Sequence, residues 1–294
     1  MVRVGLFILI ALATFSHANS NNIEDHNSVF TLHADNAFLT KRVNLDNKPY
    51  STSVDTVQML VDELGYTAPV LHVPLVRSFA YMRQGKNVCV LNKVKSPERE
   101  QKHLYSLPLS FFQTQRFYQL ASLPPPGDEL LNEAGHLLSI SKAMKAYPDS
   151  YIVLPDEYSY GARVDEDLAH VDQKQILRVA NNVYYSKFME MFADGKSDFA
   201  LIFPATIYRN FGDKLPVAVR SYSIAGNTSH VSGHVICPDT LQGAEHIARI
   251  NAAIKRIYLK AEFITAHTRY LPAQDRQNLQ AFIKQTIQTL LLDE

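Results

Sequence analysis

Few residues in this chain are spaced for chemistry. His230 and His234 stand four apart in a stretch that reads as a strand, so they share one face, but no third ligand accompanies them. Solvated or core histidines are the simpler reading, and no metal is expected. Asp165, Glu166 and Asp167 read as first-turn acids of a helix, where the dipole favours negative charge. Tyr160-Gly161 precedes that helix; free backbone N–H groups there could hold an anion, or the glycine could simply serve a turn. No Gly-x-Ser-x-Gly elbow, P-loop, Gly-x-Gly-x-x-Gly or His-Glu-x-x-His occurs, so neither an enzyme nor a bound cofactor is expected. Cys89 and Cys237 allow one pairing and equally two buried thiols.

The elements that must position such residues follow from periodicity. Apolar residues at helical spacing over 52–64, closed by Gly65, predict an amphipathic helix. Short strands are expected at 28–34, 69–73 and 87–91, with a second helix at 75–84 stopped by Gly85. That alternation implies a parallel sheet covered by helices, an α/β fold. The middle of the chain repeats it. Strands are expected at 111–120, 151–154, 175–180 and 198–203, and helices at 137–146, from 165 and at 184–193. A strand at 230–237 then leads to a helix from Leu241 to about Tyr258, capped by Thr240. Pro272 opens a last helix whose apolar stripe is Leu279, Phe282, Ile283, Ile287, Leu290 and Leu291.

Composition narrows the function. Hydrophobic residues make up 46% and charged residues 20% of 294 positions, enough for a sizeable core. Lys plus Arg equals Asp plus Glu at 29 each, with no basic stripe, so nucleic acid is not an expected partner. The N-terminus carries Arg3, an apolar run over 4–15, and Ser16 and Ala18 as small residues before a cut. Residues 1–18 are therefore expected to be a secretory signal peptide. Its removal leaves 28 basic against 29 acidic residues, a net charge of −1. Export would place both cysteines where a disulfide persists.

Residues 64–108 carry Leu64-Gly65, Gly85, Ser96-Pro97-Glu98-Arg99 and Ser106-Leu107-Pro108 in order. This stretch resembles the bacterial extracellular solute-binding proteins of family 3, the amino-acid-binding type. Gly195-Lys196-Ser197-Asp198 resembles that family's second Gly-x-x-Asp strand entry, and residues 233–251 the return strand and helix of divergent members. The resemblance implies a two-lobed type II periplasmic-binding-protein fold with a ligand cleft and two crossover strands. Lobe one would take 19–110 and 205–294, and lobe two 111–204. It further implies a periplasmic, monomeric protein that captures a small amino-acid-like solute for an ABC transporter permease.

In that family the arginine of the Ser-x-Glu-Arg motif, here Arg99, grips the ligand carboxylate; a guanidinium fork suits the task. Arg77, which opens a helix after a strand, could face the same cleft. Tyr50 and Phe38 lie in the first strand-to-helix loop, where rings could stack on ligand or merely pack the loop. The family's ammonium-holding acid stands five positions after the Gly-x-x-Asp aspartate. Counted from Asp198, that position is Phe203, which cannot pair with an ammonium but could stack on one. The expected ligand is thus a carboxylate, an aromatic compound or a modified amino acid. A sensory module or a small dehydratase-like enzyme are the alternative uses of this scaffold.

Overall fold

The computed structural model describes residues 30–45, 48–65, 69–156, 160–179, 190–212 and 214–292. The segment 1–18 expected to be a signal peptide lies outside these residues, as does most of the helix expected at 184–193. Among the described residues, no helix is long and apolar enough to cross a membrane.

Two five-stranded sheets organise the chain. The first contains β1 (Thr31–Ala34), β2 (Leu71–His72), β3 (Val88–Lys93), β4 (His103–Gln113) and β10 (His230–Pro238), in the order β2-β1-β3-β10-β4. Strand β1 runs parallel to β2 and β3, whereas β10 runs antiparallel to β3 and β4. The second contains β5 (Arg116–Leu120), β6 (Ile152–Pro155), β7 (Ile176–Val179), β8 (Phe199–Ile202) and β9 (Val219–Tyr222), in the order β7-β6-β8-β5-β9. Here β6 is parallel to β7 and β8, and β5 is antiparallel to β8 and β9.

The central strands β3 and β8 are buried on both faces, which is why they read as continuous apolar runs. Cys89 and Leu91 face one core, with Val57, Leu60, Ile250, Ile254 and Phe263 from the covering helices. Val88 and Val90 face the other side with Met82 and Ile236. The same period of two splits β8, whose Phe199 and Leu201 face one core and Ala200 and Ile202 the other.

Capping sets the helix boundaries. Ser51 accepts from the Val54 N–H at the start of the Thr52–Leu64 helix, and Gly65, at φ 59°, ends it in a left-handed conformation. Thr240 accepts from Gly243 N–H at 3.0 Å and starts the Leu241–Tyr258 helix. Both helices occupy the expected spans.

Other expectations shift. The strand expected at 111–120 is two strands, the end of β4 and all of β5, broken at 114–115 as the chain crosses between sheets. Beyond residue 205, β9 pairs with β5 in the second sheet, and the chain re-enters the first sheet with His230. Short polar β9, read in isolation, lacks the apolar alternation that marks a strand; its pairing with β5 makes it one.

Candidate functional site

A cavity of about 710 Å³ lies at the carboxyl ends of β1 and β3, a usual ligand position in open α/β sheets. Its first-lobe wall includes Asp35, Asn36, Phe38, Tyr50, Asn92 and Val94; the crossing strands contribute Phe112, Val231 and Gly233. Its opposite wall is Phe203, Ala205, Thr206, Arg209 and Asn210, from β8's end and the Pro204–Phe211 helix. That helix buries Ile207 in the second-lobe core that also holds Tyr118 and Ile202. The cavity is thus walled from both lobes.

Local hydrogen bonds hold the wall. The Asn36 side chain accepts from the N–H groups of Phe38 and Leu39 at 2.9 and 3.0 Å, capping the Ala37–Leu45 helix. Asp55 accepts from Tyr50 N–H at 2.8 Å through one oxygen and from the Tyr270 hydroxyl at 2.8 Å through the other. Burial first, then that bond to Asp55, pushes the Tyr270 phenol well above its ordinary value. Asp35 pairs with the buried ammonium of Lys93 at 2.6 Å. Asn92 adopts φ 54°, which asparagine tolerates better than most residues, beside a register irregularity in β10. Its Oδ1 accepts from the Ser110 hydroxyl at 3.2 Å, while its buried Nδ2 has no hydrogen-bond partner among the described residues.

Three of the sequence-derived candidates meet here. Phe38 and Tyr50 pack with ring centroids 4.6 Å apart and a 41° tilt. Phe203, the N-cap of its helix, sits 6.4 Å from the Phe112 ring. The other four do not line the cavity. Arg99 is half-buried on the short Pro97–Glu100 helix, and its Nη1 donates to the Val94 carbonyl at 3.4 Å; it stands one residue removed from the cavity. Arg77 is exposed on the Leu75–Arg83 helix. Tyr160 is packed in the second-lobe core. Gly161 has φ 98° and ψ 154°, a conformation reserved for glycine, and opens the Ala162–Leu168 helix of only two turns.

Sequence reading missed Asp35, Asn92, Phe112 and Arg209. Arg209 had a signal: Pro204 after an apolar strand is a helix start, since proline fits the first turn. The helix it opens carries Arg209 into the wall.

The histidines are structural. His234 is buried, and its Nδ1 is 2.8 Å from the Ser106 carbonyl, so that nitrogen carries the proton of the neutral ring. Burial lowers its pKa to about 4 against the opposing pull of that bond. His230 stacks on Phe282 at 4.2 Å. Among the described residues, no group of His, Cys, Asp and Glu could hold a metal. Asp167 is no free surface acid. It accepts from both the hydroxyls and N–H groups at the start of the Ile140–Ala146 helix, including Ser141 Oγ at 2.6 Å.

No protein-family model and no curated protein matches this sequence. Solved structures do match in shape. A histidine kinase sensor domain with similarity to periplasmic binding proteins aligns at TM-score 0.55 and 12% identity, over 83% of this chain and 96% of its own. The arginine-, lysine-, histidine-binding protein ArtJ of Geobacillus stearothermophilus aligns at TM-score 0.54 and 15% identity, over 84% and 98% of the two chains. An arginine-specific periplasmic binding protein of Salmonella typhimurium aligns at TM-score 0.54 and 14% identity, over 83% and 100%. The likeness that residues 64–108 led us to expect therefore holds for the fold, and this chain is built as a two-lobed, type II periplasmic-binding-protein-like α/β molecule.

Proposed function

We propose that this chain is a receptor for a small polar, carboxylate-bearing solute, held between the lobes and exported to the periplasm by the segment 1–18. The observation that carries the reading is the cavity of about 710 Å³ with one wall from each sheet's lobe, a size and shape suited to a small molecule. A ligand that touches both walls favours the closed arrangement of the lobes, so binding shifts the population towards it. The closed monomer would then be presented to an ABC transporter permease, a reading supported by the like shape of a substrate binding domain of a putative amino acid ABC transporter from Streptococcus pneumoniae. The likeness to a histidine kinase sensor domain favours a second reading, in which closure signals to a partner instead.

Native mass spectrometry of the gently purified mature chain, followed by calorimetry with amino acids and simple carboxylates, tests the reading. A co-purified solute, or a titratable ligand that compacts the protein without turnover, is the expected outcome. A chain that carries no solute and binds neither class would overturn it.

A further inference from the structure

The charges around the cavity do not balance. Asp35 is the one carboxylate among the described lining residues, and Lys93 already neutralises it at 2.6 Å. Arg209 lines the same cavity and has no acid within ion-pair distance among the described residues. Its buried Nε has no hydrogen-bond partner either. Its guanidinium carbon sits 4.9 Å from the Tyr50 ring centroid. Arg42 approaches the same ring at 4.5 Å. One neutral ring thus lies beside two guanidinium groups, and of the two it is Arg209 that lines the cavity. Buried donors are ordinarily satisfied, and an exception asks for a partner the protein itself does not supply.

From this we infer that Arg209 takes the carboxylate of a flat organic acid that carries no α-ammonium. The inference rests on the solute-receptor reading above and makes it specific. A guanidinium binds a carboxylate through two parallel charge-assisted bonds, and Tyr50 backs its face. The unpartnered Nδ2 of Asn92 supplies a further amide donor to the same cavity. Phe38, Tyr50, Phe112 and Phe203 make the walls aromatic, which suits a planar apolar body. An ammonium finds no counter-charge: the lobe-two position that could supply one is Phe203, and Asp35 is occupied. Arg209 belongs to the second-lobe wall and Tyr50 to the first, so an acid bound at Arg209 joins the two walls.

The test is calorimetry of the mature protein with benzoate, 4-hydroxybenzoate and phenylacetate, with benzamide as the neutral isostere and phenylalanine as the zwitterion. Arg209→Ala and Arg209→Lys are compared with the unaltered chain, with thermal melts to establish that each variant folds. Carboxylates should bind the unaltered chain more tightly than benzamide or phenylalanine. Arg209→Ala should weaken them about thirtyfold or more, the lower end of what breaking a buried charge pair costs. Arg209→Lys should fall between, because a point charge lacks the fork. Carboxylate binding that survives Arg209→Ala unchanged would overturn the assignment to Arg209 while leaving a solute receptor. Tighter binding of phenylalanine or benzamide would overturn the ligand class, again leaving the receptor. If none of the five probes binds, and an amino-acid panel also fails, both the inference and the receptor reading fall.

Discussion

Cys89 and Cys237 are joined across the neighbouring strands β3 and β10, with their Cα atoms 4.4 Å apart and a sequence separation of 148. The loop they close contains every strand of the second sheet. Both cysteines are fully buried in the first-lobe core, so the bond secures the strand on which the chain returns from lobe two.

Cross-linking residues so far apart restricts the unfolded chain strongly. Unfolded, unreduced protein should therefore show no free thiol, and Cys89→Ala with Cys237→Ala should lower stability by about 2–5 kcal/mol in urea melts. Two titratable thiols in the unfolded, unreduced protein would contradict the bond.

An ion pair joins Arg116 of β5 in the second sheet to Asp275 of the C-terminal helix, Nη2 to Oδ1 at 3.1 Å. The Asp275 side chain is 6% exposed and that of Arg116 27%. Removing the arginine leaves a buried carboxylate without its charge partner. Arg116→Ala should cost about 1–3 kcal/mol, less than a fully buried pair because water reaches the guanidinium. Arg116→Ala and Asp275→Asn should be non-additive in a double-mutant cycle; additive effects would show that the pair contributes nothing.

Acid should destabilise the fold through two buried rings. Burial lowers the pKa of His234 and of His267 from 6.5 to about 4 in the folded state. A depressed folded value means the unfolded chain takes up the proton first. Stability is therefore whole above about pH 6.5, falls as pH drops towards 4, and loses no more from these rings below that. The limit is about 3 kcal/mol per ring. Urea midpoints measured from pH 7 to 4 should fall, and His234→Gln, which can still donate to the Ser106 carbonyl, should flatten part of the slope. An unchanged slope in that variant would exclude His234 as a contributor.

Asp167 joins two helices of the second lobe. Burial alone would raise its carboxyl, but the bonds from Ser141 and Ser139 hydroxyls and the Ile140 and Ser141 N–H groups outweigh it and hold the pKa below the ordinary value. Its contribution is present above the unfolded pKa near 3.8 and is lost as pH falls below that. Asp167→Ala should cost about 1–3 kcal/mol at neutral pH, as a lost cap with its donors left unmet. A loss under half a kcal/mol would mean water replaces the carboxylate without penalty.

The sequence by itself determined whatever depends on local spacing. Helical period, a Ser or Thr cap and a terminal glycine were enough to delimit Thr52–Leu64 and Leu241–Tyr258. Apolar runs marked β3 and β8, because a strand covered on both faces needs no partner to reveal it. Phe38 and Tyr50 could be proposed for a cleft because they lie in a strand-to-helix loop, and Phe203 because the resemblance puts it where that family holds an ammonium. Only the tertiary structure decided which strands share a sheet. Polar β9 becomes a strand through β5, and β10 finds its place between β3 and β4 of the first sheet. It alone decided which charges are available. Arg99 and Arg209 are both plain arginines in sequence; one donates to Val94 behind the cavity, and the other reaches it with no acid beside it among the described residues. That difference arises from residues far along the chain, since Coulomb and hydrogen-bond partners act over a few ångströms of space rather than a few positions of sequence.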